Sequence, residues 1–177
     1  MKKLIFSLLA MGFLLLLTNN TAQAQNDKFN KFVANFKETS VNTGIESTSV
    51  ALKAIDQQLA WEFTWQKNQF QKPEKCFVVP FGYYKITPKT ALIISAVTDE
   101  IAEKSTYTLV VQTYNIKKGK VISEEGGILG TFSDYLKLSS KVAVDAKGNI
   151  TITSKGGFGK DIVENFTINS SGKINRL

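Results

Sequence analysis

Apolar residues in the first part of the chain recur with a helical period. Phe29, Phe32, Val33 and Phe36 fall at i, i+3, i+4 and i+7 and form one apolar stripe. This spacing predicts a helix over residues 26–38. The polar stretch that follows, up to residue 46, contains a glycine and is typical of a loop.

Residues 50–65 fit two patterns. Four apolar positions at helical spacing follow a Ser/Thr-rich segment that could cap a helix, and they are Leu52, Ile55, Leu59 and Phe63. The end of the same stretch alternates apolar and polar residues from Leu59 to Trp65, as a strand does. We expect a helix that runs to about Ala60. The pattern does not decide whether the aromatic end of the stretch, up to Trp65, is helix or strand.

From Cys76 onward the apolar period changes to two. Short apolar or β-branched runs are separated by Pro80, Gly82 and Pro88. The predicted strands cover residues 76–79, 83–87, 91–97 and 106–114.

A weak internal repeat follows these strands. Residues 114–121, 144–150 and 168–174 each place an Asn or Asp, a short polar link and a Gly between two strand-like runs. The acidic or amide side chain caps a type I turn, and a Gly three places on accepts positive φ without steric cost. Gly148 and Gly172 have that spacing, whereas the first copy has one extra residue. Each copy predicts a β-hairpin within a single domain.

Together these patterns predict an α+β fold that is mainly β. We expect an antiparallel meander of about seven to nine strands, with one or two N-terminal helices packed on it. The sequence leaves open whether the sheet curls into a partial barrel. This layout of a helical part and a meander with Asx-x-x-Gly turns resembles small exported proteins of unknown function from Bacteroidetes-type bacteria. The resemblance implies a fold and no catalytic residues.

The first 24 residues have the three parts of a secretory signal peptide. Lys2 and Lys3 precede an apolar run over residues 4–17, and the small residues Ala22 and Ala24 then offer a peptidase site. The run is shorter than the roughly 20 residues that span a bilayer. We therefore expect export to the periplasm or the cell exterior. The mature domain, residues 25–177, would have no transmembrane segment, and an uncleaved anchor is the alternative.

Removing residues 1–24 from 177 leaves 153 residues, which suits one domain with one core. The net charge falls from +7 to +5, because two lysines leave with the signal. The remaining lysines are spread along the chain and are densest at Lys117, Lys118 and Lys120. Without a basic stripe interleaved with aromatic residues, we expect no binding to nucleic acid. The sequence does not identify a partner, and an envelope protein or a glycan are the candidates for an exported chain.

Missing residue types exclude several kinds of chemistry. The chain has no histidine, so the nucleophile systems and zinc sites that depend on imidazole are absent. Cys76 is the single cysteine and cannot form an internal disulfide. It opens an apolar run, and we expect a buried structural thiol. We expect no catalytic residue, cofactor or metal.

Two polar stretches invite a functional interpretation. Residues 155–160 resemble a phosphate-binding loop, but Ser154 and Asp161 stand where that loop needs Gly and Ser or Thr. Asp99, Glu100 and Glu103 could bind calcium, although their spacing is not that of an EF-hand. We interpret the first as an inter-strand loop and the second as a solvated hairpin tip.

Aromatic residues are the remaining candidates for a site. Trp61, Trp65, Tyr83 and Tyr84 lie close in sequence, together with Phe81. On an exposed face such rings could bind a sugar, whereas packed inward they would form the core beneath the helices. Because Tyr83 and Tyr84 are adjacent in a predicted strand, they should face opposite sides, so one at most joins a given surface.

Three hypotheses for function remain. The first is an exported, non-catalytic binding or interaction module. The second is a carrier that encloses an apolar ligand in a curled sheet. The third is a hydrolase, such as a glycosidase, that uses only carboxylates. A filled core would favour the first, an apolar cavity of several hundred Å³ the second, and two facing carboxylates the third.

Overall fold

A computed structural model describes residues 23–64, 76–102, 104–125, 130–133, 135–156 and 161–177. Of these residues, 47% are in strands and 16% in helices, which confirms the predicted α+β fold dominated by antiparallel strands. The described strands form two separate five-stranded sheets rather than one curled sheet.

Helix α1, residues 23–33, carries the predicted apolar stripe. Phe29 and Phe32 are buried on it, and Phe36 is buried in the turn that follows. The helix ends earlier than predicted because the side-chain amide of Asn35 donates hydrogen bonds to the carbonyls of Lys31 and Phe32, at 2.8 and 3.0 Å. These bonds supply donors to carbonyl groups at the helix end, where the carbonyl of Phe32 also accepts from the backbone amide of Asn35 at 3.2 Å.

Helix α2 spans Gln57–Phe63, so the expectation of a helix from residue 50 was wrong. It begins where the side chain of Asp56 accepts a hydrogen bond from the backbone amide of Leu59 at 2.9 Å. Just before it, the amide of Ile55 donates to the carbonyl of Val78, which holds the chain against a strand instead of in a helix. The aromatic end left open by the sequence is helical through Phe63, and Trp65 lies outside the described residues.

The first sheet is a meander with one short additional strand. In chain order its strands are β2 (Phe77–Lys85), β3 (Thr90–Thr98), β4 (Tyr107–Asn115), β5 (Lys120–Glu125) and β6 (Thr131–Phe132), which pairs with the start of β4. The sequence predicted two strands where β2 is one. Its register shifts between Pro80 and Gly82, so the strand bulges there instead of ending. A Cβ at Gly82 would lie 2.3 Å from Cδ1 of Ile45, so a larger residue would require the end of that side chain to move.

The second sheet joins a short strand from the N-terminal region to the C-terminal hairpins. Its strands, in spatial order, are β1 (Ile45–Glu46), β7 (Ser139–Val144), β8 (Asn149–Lys155), β9 (Ile162–Ile168) and β10 (Ile174–Arg176). Before β1 the chain bonds to the first sheet, since the amide of Thr39 donates to the carbonyl of Tyr83. The segment between Thr39 and Ile45 therefore links edge strands of both sheets.

The fold has three layers and two apolar clusters. One cluster fills the space between the sheets with side chains such as Leu92, Leu109, Ile152 and Phe166, all at most 1% exposed. The other lies on the opposite face of the first sheet, under both helices. The core between the sheets is therefore filled by side chains.

The hairpin turns have the predicted geometry. Gly148 and Gly172 have φ values of +81° and +84°, which confirms the positive φ expected at both positions. In the β7–β8 turn the side chain of Asp145 accepts hydrogen bonds from the amides of Lys147 and Asn149, each at 2.8 Å. Turn residues in the sequence thus fix where each strand pair reverses.

Candidate functional site

Four hairpin turns lie together at one end of the two sheets. They comprise residues 87–89, 116–119, 145–148 and 169–173, and we call this end of the molecule the hairpin end. Backbone hydrogen bonds join neighbouring turns: the amide of Ile116 donates to the carbonyl of Lys89 at 3.0 Å, and that of Ile168 to Gly148 at 2.9 Å. A Cβ at Gly172 would lie 3.4 Å from Cγ2 of Thr90. Gly172 belongs to a turn of the second sheet and Thr90 begins β3 of the first, so the turns of the two sheets are in contact here. The turns therefore form one continuous surface.

This surface is basic. Every turn contributes at least one exposed lysine, and these hairpin-end lysines are Lys89, Lys117, Lys118, Lys147 and Lys173. The single acid within the four turns is Asp145, so they carry a net charge of +4. The ion pairs among the described residues involve other side chains: Lys28 with Glu62, Lys141 with Glu46, and Arg176 with Glu164.

Asp145 has a structural role within this surface. Hydrogen bonds from the backbone and side chain of Asn149 lower the pKa of its carboxyl group, assisted by the amide and the charge of Lys147. The ionised carboxylate thus caps its own turn and stays charged at neutral pH. The lysines of the four turns are exposed to solvent.

The sequence alone did not reveal this surface. Lys117 and Lys118 are neighbours in the chain, but Lys89, Lys147 and Lys173 are far from them and from one another. They meet because alternate connections of an antiparallel meander fall at the same end of a sheet. The signal that could have found them is the recurrence of lysine within each predicted turn.

The opposite end of the sheets, where β3 ends and β4 begins, has a different character. Its described residues expose three lysines and three acids, which are Lys104, Lys137, Lys155, Asp99, Glu100 and Asp161. Several large apolar side chains are also exposed there: Ile101, Tyr135, Leu136, Ile162 and Val163. Among the described residues, this end is therefore balanced in charge and partly apolar, whereas the hairpin end is basic and mostly polar.

A surface groove of about 510 Å³ lies beside β2. Residues between 35 and 51 line most of it, with Pro80 and Phe81 of β2 on the other side. Its lining includes several hydroxyl groups, and its charged side chains are Lys37 and Glu38. It is not the enclosed apolar cavity that a carrier of an apolar ligand would need.

The structure does not bring the candidate aromatic residues onto one surface. Tyr84 is fully buried between the sheets, where its hydroxyl donates to the carbonyl of Thr43 at 2.9 Å. Tyr83 is buried on the other face of β2, under the helices. Trp61 is partly exposed on α2, and Trp65 lies outside the described residues. The opposite orientation of the two tyrosines agrees with their positions in one strand.

The other candidate groups occupy structural positions. Burial raises the pKa of the Cys76 thiol to about 12, so the reactive thiolate does not form at neutral pH. Among the described residues, no group of three or more acids and cysteines could hold a metal ion. Asp99 and Glu100 are exposed, whereas Glu103 and most of the stretch 155–160 lie outside the described residues.

No family model, curated protein or solved structure matches the chain. The resemblance to small exported bacterial proteins therefore stays a prediction. No helix in the described ranges is long and apolar enough to cross a membrane.

Proposed function

We propose that this chain is an exported, non-catalytic binding module that holds an anionic ligand or surface at its hairpin end. The observation that supports this most directly is the convergence of five exposed lysines from four turns, with no ion pair to any of them among the described residues. Clustered charge of one sign creates a potential of several kT, which attracts oppositely charged partners.

Two features favour binding over catalysis. The inter-sheet core is filled, and the described surface groove contains no pair of carboxylates in its lining. The sequence also lacks the imidazole that most acid–base and nucleophilic mechanisms use. Rigid turns that present ammonium groups suit electrostatic recognition, because each ammonium is a point charge that needs no fixed partner geometry.

Two variants of equal net charge test this proposal. The hairpin-end variant replaces one lysine of each turn by glutamine: Lys89, Lys117, Lys147 and Lys173. The opposite-end variant replaces the three exposed lysines of that end, Lys104, Lys137 and Lys155, together with exposed Lys53, whose segment bonds to the start of β2 through Ile55 and Val78. On phosphocellulose, an anionic matrix, we expect the hairpin-end variant to elute at clearly lower salt than the opposite-end variant. Elution of both at the same salt would refute a dedicated basic surface.

Export is tested separately by the N-terminal sequence of the protein recovered outside the cytoplasm. We expect it to begin at Gln25 or within a few residues of it, because Ala22 and Ala24 provide the small side chains of a peptidase site. Recovery of the exported fraction with Met1 intact would contradict cleavage.

A further inference from the structure

We infer that the surface held by the hairpin end is an anionic phospholipid membrane. This inference rests on the function proposed above and names the class of ligand. Three observations carry it: the arrangement of the lysines, the polarity of the surface between them, and the point at which the N-terminal segment enters the domain.

The lysines are arranged for a broad surface and not for a small molecule. They sit on the tips of four adjacent turns, two from each sheet. None of them lines the described cavities, which lie beside β2 and around β7 and β8. A bilayer offers many anionic head groups over a wide area, and turn tips can contact such a surface simultaneously.

The side chains between the lysines favour adsorption over insertion. The turns contribute small or polar residues such as Thr87, Ser170 and Ser171, and five of the eight exposed large apolar side chains among the described residues lie at the opposite end, whereas Val121 is the one that directly follows a hairpin-end turn. A surface with so little exposed apolar area stays at the level of the head groups, so its binding is reversible and weakens as salt rises.

The N-terminal segment enters the domain at this same end. A Cβ at Gly119, in the β4–β5 turn, would lie 2.7 Å from Cβ of Phe29 and 3.4 Å from the carbonyl oxygen of Gln25. The beginning of α1 is therefore packed on a hairpin-end turn. Residues 4–17 form the apolar run of the expected signal peptide, which is held in the membrane during export. Residue 23 follows this run by six positions, so the described chain begins at the hairpin end, which is the part of the domain closest to the run along the chain of the uncleaved precursor.

Cosedimentation with vesicles tests this inference on the exported protein. One set of vesicles is phosphatidylcholine alone, and the other contains about one third phosphatidylglycerol, which supplies the negative surface potential. We expect sedimentation with the anionic vesicles, no sedimentation with the neutral ones, and release as salt is raised.

The two lysine variants locate the binding surface. Each lysine near an anionic membrane contributes about fivefold in affinity, so the four replacements in the hairpin-end variant should weaken binding on the order of several hundredfold. The opposite-end variant should bind within about twofold of the wild type, since its lysines face away from the bilayer. Equal urea unfolding midpoints of both variants would establish that the loss of binding does not come from unfolding.

Other outcomes separate this inference from the function on which it rests. Retention on phosphocellulose that depends on the hairpin-end lysines, without sedimentation on anionic vesicles, would overturn the membrane inference and leave an anionic glycan as the ligand class. Equal vesicle binding by the two variants would overturn the assignment of the hairpin end itself.

Discussion

Replacement of Phe32 by alanine tests whether α1 is a packed part of the domain. Phe32 is fully buried, and its ring centroid lies 5.2 Å from that of Phe63 in a stacked arrangement and 5.1 Å from that of Phe36. Tyr114 of β4 is 6.3 Å away, so one side chain connects both helices to the first sheet. Removing a buried ring of this kind costs about 3 to 5 kcal/mol, through lost apolar transfer and the cavity left behind.

Urea unfolding followed by far-UV circular dichroism measures this cost. With a urea m value of about 2 kcal/mol/M, a loss of about 4 kcal/mol lowers the unfolding midpoint by about 2 M. Lys31→Ala is a matched control, because Lys31 is the neighbouring residue on the same helix and is exposed. It should stay within about 0.5 kcal/mol of the wild type. A midpoint for Phe32→Ala equal to that of Lys31→Ala would refute the packing of α1 on the sheet.

Two further predictions concern a turn and the pH dependence of stability. Gly172→Ala should lower the free energy of unfolding by about 1 to 2 kcal/mol, because an alanine is strained at φ +84° and its Cβ would lie 2.9 Å from Cδ1 of Ile122. Gly44→Ala is the control, because its Cβ would meet only the flexible end of the Lys141 side chain. Equal urea midpoints for the two variants would contradict the turn geometry. Burial raises the pKa of Tyr84 and of Cys76 each to about 12, and burial together with the charge of Glu124 raises that of Tyr114 well above 10. The unfolded chain releases the protons of these three side chains at lower pH than the folded chain does. Their burial should therefore leave the free energy of unfolding unchanged below about pH 9 and lower it between about pH 9 and 12. A urea midpoint that stays constant up to about pH 11 would contradict the burial of these side chains.

Local signals in the sequence predicted the elements that depend on neighbouring residues. The Asp and Asn caps and the glycines of the hairpin turns were sufficient to predict the reversals at Gly148 and Gly172, because each turn is made within one short segment. The stripe on α1 predicted a buried face for the same reason, since the helical period is a local property.

Elements that depend on distant residues were not predictable in the same way. Pro80 and Gly82 were interpreted as strand breaks, but pairing of β2 with β3 carries the strand past them as a bulge. The start of α2 is delayed because Ile55 bonds to Val78, more than twenty residues away. The division of the meander into two sheets likewise depends on long-range pairing, such as that of β1 with β7.

The features of the candidate site likewise fall into those that local sequence predicts and those that depend on distant residues. The individual turns and their lysines are visible in the sequence, and so is the alternation that separates Tyr83 from Tyr84. The basic surface itself arises only when Lys89, Lys147 and Lys173 are brought together by the packing of two sheets. Average charge along the chain cannot show this, because the net charge of +7 is distributed over distant segments.

Lysine acetylation in the presence and absence of anionic vesicles tests the central claim most directly, because it reports on every lysine of the wild-type protein at once. We predict that vesicles protect the hairpin-end lysines, Lys89, Lys117, Lys118, Lys147 and Lys173, from modification, as read by mass spectrometry. Lys53, Lys104, Lys137 and Lys155 should react equally with and without vesicles. Uniform reactivity of all lysines on vesicles, or protection confined to the opposite end, would contradict the assignment of the hairpin end as the binding surface.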